Sequence, residues 1–196
     1  MSLIQKLKAR AANNNPVRVG IIGAGKFGSM YLSQAPRTVG IHLVAVADLS
    51  PARAKEALAR VGWDEARYNA TSLQDAAKSG ATFVTDDAEK MIASEHIDIV
   101  IDSTGSPAAG IRHALLCFDH RKHIIMVNVE ADVLAGPLLS RKAAQAGVIY
   151  SMASGDQPAL IAELVDWART IGLEVVCAGK GTKYLPIYHQ STPETV

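Results

Sequence analysis

Three glycines, Gly23, Gly25 and Gly28, follow directly on the apolar run Val17-Arg-Val-Gly-Ile-Ile22 and lead into a segment with helical patterning. Glycines at this spacing suit anion chemistry. Gly23 permits a tight turn, Gly25 lets main chain approach a ligand with no side chain between, and Gly28 lets the following helix pack closely on the strand. The helix start offers unpaired N–H groups and the positive end of a dipole to a phosphate. Lys26 and Phe27 complete the turn. A second apolar run, Ile41-His-Leu-Val-Ala-Val-Ala47, ends at Asp48, twenty residues past Gly28. Strand, glycine turn, helix, strand and acid form the fingerprint of a dinucleotide-binding unit.

Asp48 bears on which dinucleotide. A carboxylate there accepts hydrogen bonds from ribose hydroxyls, which favours NAD, and repels a 2′-phosphate, which disfavours NADP. Ser50 and Arg53 stand close behind it, and Arg53 could reach such a phosphate. Residue types alone give NAD a modest edge.

In open parallel sheets ligands bind beyond the carboxyl ends of the strands, and this rule selects the remaining candidates. Ser103-Thr104-Gly105-Ser106 follows the run Ile97-Asp-Ile-Val-Ile-Asp102 and would border the cofactor or simply cap a helix. Asn128, Glu130 and Asp132 follow the run Lys122–Asn128, where a nicotinamide and its substrate would meet. Either acid could orient a ligand or move a proton, or be a solvated loop acid. Ser154, Gly155, Asp156 and Gln157 come after a further run, with Asp156 also suited to capping the next helix. Lys180 and Lys183 lie on a glycine loop and could hold a substrate phosphate or polarise a carbonyl, or be ordinary surface lysines. Cys117, His120 and His123 invite a metal reading, but no complementary Cys/His group accompanies them, and cationic residues near a helix C-terminus answer to its dipole.

The elements that position these residues alternate. Strands are expected at 17–22, 41–47, 82–85, 97–102, 122–128, 147–151 and 173–178. Helices are expected at 3–12, 26–35, 51–61, 87–94, 107–118, 137–146 and 157–171, the 51–61 helix opened by Ser50-Pro51 and the 137–146 helix by Pro137. Residues 63–82 fit the rhythm poorly, with a short helix around 72–79. Alternation of this kind predicts an α/β fold, a doubly wound, mostly parallel sheet of Rossmann type. The expected organisation is an N-terminal helix over 1–15, the dinucleotide-binding domain over 16–178, and a linker over 179–196 into a catalytic domain absent from this chain.

Bulk properties narrow the field. The chain has 196 residues, 48% hydrophobic and 20% charged, enough to build a core and too apolar for disorder. Its net charge of +1 includes no basic block that would call for nucleic acid. No apolar run reaches the length of a membrane span, and the amphipathic N-terminus lacks the apolar core of a signal peptide, although its basic residues suit an organelle transit peptide. Two cysteines, Cys117 and Cys177, far apart, fit a reducing cytoplasm.

Five stretches together carry a family resemblance: Val19-Gly-Ile-Ile-Gly-Ala-Gly-Lys-Phe-Gly28, Ile101-Asp-Ser-Thr-Gly-Ser-Pro107, Val127-Asn-Val-Glu-Ala-Asp132, Ser154-Gly-Asp-Gln-Pro158 and Gly179-Lys-Gly-Thr-Lys-Tyr-Leu-Pro186. The chain resembles the homoserine-dehydrogenase-like oxidoreductases with a C-terminal SAF domain, and most of all their 1-deoxy-D-xylulose 5-phosphate reductoisomerase-like branch. The resemblance implies an NADPH-dependent homodimer of isoprenoid precursor synthesis, with a divalent metal in the full-length enzyme and a small-molecule substrate. Carried onto this sequence, it implies that Gly23, Gly25 and Gly28 hold the pyrophosphate and that Ser103, Thr104 and Gly105 border the cofactor. By position, Lys26, Phe27, Asp48, Arg53 and Asn128 join the cofactor-binding candidates, Asn128 also lying toward the substrate, and Glu130, Lys180 and Lys183 are the catalytic candidates, with no metal ligand assigned. Homoserine dehydrogenase or a sugar-acid dehydrogenase is the alternative, and a non-catalytic nucleotide-sensing module the other. Val129-Glu130 after Asn128, where homoserine dehydrogenases carry an Asn-Lys pair, disfavours the first. The lysine loop disfavours the second.

Overall fold

A computed structural model describes residues 2–155, 157–179 and 185–192. The apolar runs become strands β1 (Val17–Ile22), β2 (Ile41–Ala47), β3 (Phe83–Thr85), β4 (Ile99–Asp102), β5 (His123–Met126) and β6 (Tyr150–Met152). They form one parallel sheet in the order β3-β2-β1-β4-β5-β6. Beyond Arg18 and His42 near their amino ends, β1 and β2 are apolar at successive positions because helices cover both faces. On one face α2 (Lys26–Gln34) and α3 (Pro51–Arg60) bury Leu32, Ala54, Ala57 and Leu58 against Val19, Ile21, Val46 and Ile101. On the other, α5 (Ala88–Ala93), α6 (Pro107–Asp119) and α7 (Val129–Ala146) bury Met91, Ile92, Phe118 and Leu139 against Val44, Val100, Ile124 and Met126.

Local sequence sets the starts of the helices. Ser50, Asp87 and Ser106 each accept an amide of the first turn, and Pro51 and Pro107 occupy positions where no donor is needed. Helix α1 (Leu3–Ala12) opens with a capping box between Ser2 and Gln5. The irregular stretch 63–82 does hold a short helix, α4 (Leu73–Ser79), capped by Ser72.

Two expectations are corrected. The helix expected to start at Pro137 starts at Val129, with Pro137 inside it. Asn128 supplies the stronger start: its Oδ1 accepts the Ala131 amide at 3.1 Å, and Glu130 and Asp132 in the first turn complement the helix dipole. The strand expected at 173–178 does not form, and residues 173–179 have no regular secondary structure. Its apolar composition is that of a strand, but a strand needs an edge to pair with, and the described part of its unit holds none.

The chain divides into two units, Met1–Ala153 and Ser154–Val196. The second contains α8 (Gln157–Thr170) and a 3-10 turn over Pro186–Gln190. A shallow apolar groove in it is lined by Ile161, Leu164, Val165 and Ala168 of α8 and by Val175 and Cys177. No helix among the described residues is long and apolar enough to cross a membrane.

Candidate functional site

The chain leaves β1 toward β2 on one side, and β4 lies on the other. The carboxyl ends of these neighbours therefore splay around a crevice, the place where doubly wound sheets bind ligands. A cleft of about 300 Å³ opens there, lined by Gly23, Gly25, Asp48, Arg53, Asp86 and Ser103–Ser106 among others. A larger hollow of about 540 Å³ lies at the amino ends of the strands, walled by Arg18, His42, Trp63 and Arg67. It is remote from the glycine turn and from the end of the sheet where parallel strands aim their loops.

Each glycine of the turn has a distinct reason. Gly23 has φ +96°, and a Cβ there would stand 2.9 Å from the Ser103 carbonyl oxygen. A Cβ on Gly28 would fall 2.2 Å from the Gly23 carbonyl oxygen, so this residue sets the closeness of α2 to the turn. Gly25 differs: nothing lies within 4 Å of where its Cβ would be. Gly25 is also the cap of α2, which has no side-chain cap and no acid in its first turn. An anion approaching Gly25 meets main-chain amides and open space.

Asp48 is 6% exposed and heavily engaged. Its Oδ2 accepts the Ala24 amide at 2.8 Å, and its Oδ1 accepts the Ser50 amide at 3.0 Å and Arg53 Nη2 at 2.8 Å. Burial alone would raise its pKa, but these hydrogen bonds and the Arg53 charge outweigh burial and hold it below the ordinary aspartate value. The Arg53 side chain is 64% exposed and lines the cleft, so the pair presents a guanidinium rather than a bare carboxylate.

The opposite wall is fixed by side-chain hydrogen bonds. Ser103 Oγ reaches both the Ile22 and the Gly23 carbonyl oxygens at 2.8 Å. Thr104 donates to the fully buried Asp102 through its amide and its hydroxyl. Asn128 Nδ2 donates to Thr104 Oγ1 at 3.1 Å and to the Ser106 carbonyl at 2.8 Å.

The structure thus gathers Gly23, Gly25, Asp48, Arg53, Ser103, Thr104 and Gly105 at one cleft. Gly28 lies beneath the turn, and Asn128, 1% exposed, braces the wall from behind. Lys26 is exposed, and Phe27 packs against the core under α2 and α3. Glu130 is exposed in the first turn of α7, on a shallow surface shared with Pro107, Val129, Val133 and Leu134. Asp132 accepts the Tyr150 hydroxyl at 2.8 Å, and burial, reinforced by this bond, raises the Tyr150 pKa. Lys180, Lys183 and Asp156 lie outside the described residues. Cys117 is buried in the core, where desolvation pushes its thiol up to about 12, and His123 Nδ1 accepts the Ile149 amide at 3.0 Å. Among the described residues no three His, Cys, Asp or Glu side chains gather as metal ligands would.

Sequence reasoning missed Asp86 and the pair His113–Asp102. Asp86 was accessible to the same rule, since it stands at the carboxyl end of β3. His113 carried no local signal. Only the packing of α6 on the sheet brings its Nδ1 to 2.6 Å from Asp102 Oδ2.

Residues 17–127 match the GFO/IDH/MocA oxidoreductase family, NAD-binding Rossmann fold. The chain belongs to that family. Residues 155–196 match the catalytic domain of oxidoreductase DRL. No curated protein matches the chain. Solved structures share the fold. A homoserine dehydrogenase from Thiobacillus denitrificans is 18% identical over 70% of this chain and 29% of its own, with a TM-score of 0.55. A scyllo-inositol dehydrogenase from Lactobacillus casei, solved with NAD(H) and scyllo-inositol, is 17% identical over 79% of this chain and 42% of its own, with a TM-score of 0.54. A biliverdin reductase from Synechocystis sp. PCC 6803, solved with biliverdin and NADP+, is 18% identical over 79% and 42%, with a TM-score of 0.51. The chain therefore spans between 29% and 42% of the length of these three relatives. The family's dinucleotide fits the residues present: Gly25 leaves the room a diphosphate needs, and the start of α2 supplies donors that no side chain caps.

Proposed function

We propose that this chain carries the coenzyme-binding part of an NAD(P)H-dependent oxidoreductase of reductoisomerase-like type, acting on a small phosphorylated carbonyl compound. The observation that carries the reading is the open position at Gly25, facing a cleft between the β1 and β4 loops. A reduced nicotinamide would supply hydride there. The protein's own part is binding and orientation. The amides at the start of α2 hold the diphosphate. Asp48 keeps the turn in shape and holds Arg53 at the rim. The Ser103–Ser106 wall limits where the nicotinamide half can lie.

Two features support the finer reading. The catalytic-domain match over 155–196 covers the stretch that holds Lys180 and Lys183. Those lysines are the proposed phosphate or carbonyl contacts, and Glu130 the proposed proton-moving group. The second is Arg53, which favours a coenzyme with a 2′-phosphate, because the neighbouring carboxylate already has its oxygens occupied. NADPH is thus the proposed coenzyme, and a homodimer the proposed assembly.

Calorimetric titration of the chain with NADPH and NADH tests the coenzyme reading. Saturable binding with NADPH preferred is expected, and binding of neither sinks it. An absorbance assay of the whole protein at the nicotinamide band, with deoxyxylulose phosphate and with homoserine, tests the substrate class. Consumption of coenzyme with homoserine alone would overturn the reductoisomerase-like assignment.

A further inference from the structure

Asp102 closes β4 with a carboxylate that is 0% exposed. A buried carboxylate is tolerated only where its oxygens are satisfied. Here Oδ1 takes the Thr104 amide at 3.0 Å and the Thr104 hydroxyl at 2.7 Å, and Oδ2 takes His113 Nδ1 at 2.6 Å. His113 comes from α6, has a side chain 12% exposed, and does not line the cleft. Its hydrogen bond to Asp102 is the link from His113 to the cleft wall.

The wall beyond Asp102 is held by polar contacts more than by packing. Nothing lies within 4 Å of where a Cβ on Gly105 would stand. What fixes the segment is Ser103 Oγ on the β1 carbonyls, Thr104 on Asp102, and Asn128 on Thr104 Oγ1 and the Ser106 carbonyl. Chains of this kind stand or fall together, since an unpaired member in a dry site recruits another partner or water.

We infer that His113 is a positioning residue for the coenzyme: by pairing with Asp102 it fixes Thr104 and the Ser103–Ser106 wall against which the nicotinamide half of the dinucleotide lies. The inference rests on the dinucleotide reading of the cleft and adds to it a residue that touches neither coenzyme nor turn. The adenosine half, on the Asp48–Arg53 side, is outside its reach.

The test uses the full chain. His113→Leu keeps bulk and removes the donor, whereas His113→Asn keeps an N–H close to the position of Nδ1. Each is titrated with NADPH and with 2′-phospho-AMP, which reports the adenosine side alone. His113→Leu should bind NADPH about tenfold more weakly, the loss expected when one oxygen of a buried carboxylate loses its donor. It should leave 2′-phospho-AMP unchanged, and His113→Asn should recover most of the NADPH affinity. Wild-type NADPH affinity in a folded His113→Leu protein overturns the inference, as does parallel loss of both ligands, which would mark a purely structural pair. Should His113→Leu fail to fold, amide exchange in the wild-type protein decides. A protected Thr104 amide supports the assigned wall, and an unprotected one overturns it. Wild-type chain that binds 2′-phospho-AMP and NADPH nowhere removes the coenzyme reading itself, a different result from either failure above.

Discussion

The Asp48 carboxylate accepts the Ala24 amide at 2.8 Å, from the middle of the glycine turn. The residue that the sequence marks as a ribose acceptor is also a brace between two loops. Ala24 sits between the residue that makes the turn and the residue that leaves it open. Removing the brace by Asp48→Ala frees the Ala24 and Ser50 amides and strands Arg53. A loss of about 1–3 kcal/mol is expected for buried donors left unpaired. Urea unfolding of the variant measures it, and NADPH affinity should fall as well because the turn loses its tie. A variant as stable as wild type would mean that the carboxylate is not holding the turn.

Gly25 and Gly28 should separate binding from folding. Gly25→Val has room in the fold, since the Cβ meets nothing within 4 Å, but it fills the approach to the α2 amides. It should unfold at the wild-type denaturant midpoint and bind neither coenzyme. Gly28→Ala does the reverse damage, because its Cβ would collide with the Gly23 carbonyl. It should cost about 1–3 kcal/mol, typical of forced overpacking. Thermal unfolding of the two side by side checks the contrast.

The sheet was legible because its signals are local. Strands β1 and β2 have the expected bounds, since Pro16, Gly23 and Asp48 punctuate apolar runs that nothing else interrupts. The glycine turn was legible for the same reason. Helix α7 was misread because proline is a strong start signal, and a capping asparagine with two acids behind it is a stronger one that begins earlier. The hydrogen bonds of Asp48 were hidden for a different reason. Spacing shows that an acid stands at the end of β2, but not that three donors converge on it. His113 was invisible because its partner lies on another element, and only tertiary packing joins them.

Acid should loosen the protein through Asp48 and Asp98. For each, burial pushes the pKa up but is outweighed by hydrogen bonds and a guanidinium, Arg53 for Asp48 and Arg18 for Asp98, so both stand below the ordinary value in the fold. A carboxylate whose pKa is lower folded than unfolded contributes its stability above the unfolded value, about 3.9. That contribution disappears as pH falls through the folded value. Urea midpoints should stay level from neutral pH to about 5 and drop below about 4. Asp48→Asn should flatten part of the drop, and a midpoint independent of pH across this range would contradict the assignment.

Arg53 should decide between the two coenzymes. Its guanidinium is exposed at the rim and tied to a carboxylate whose charge it offsets. A 2′-phosphate placed beside it gains a charge-assisted hydrogen bond, whereas a 2′-hydroxyl gains little from a cation. Asp86 also lines the cleft, so the rim is not uniformly basic and the discrimination depends on Arg53. Arg53→Gln keeps a hydrogen-bond donor on a shorter side chain and removes the charge. It should weaken NADPH about 10- to 100-fold, the range for losing a hydrogen bond to a charged group. NADH affinity should stay nearly unchanged. Parallel titrations of both coenzymes read the difference directly, and an equal loss of both would show that Arg53 acts only by steadying Asp48.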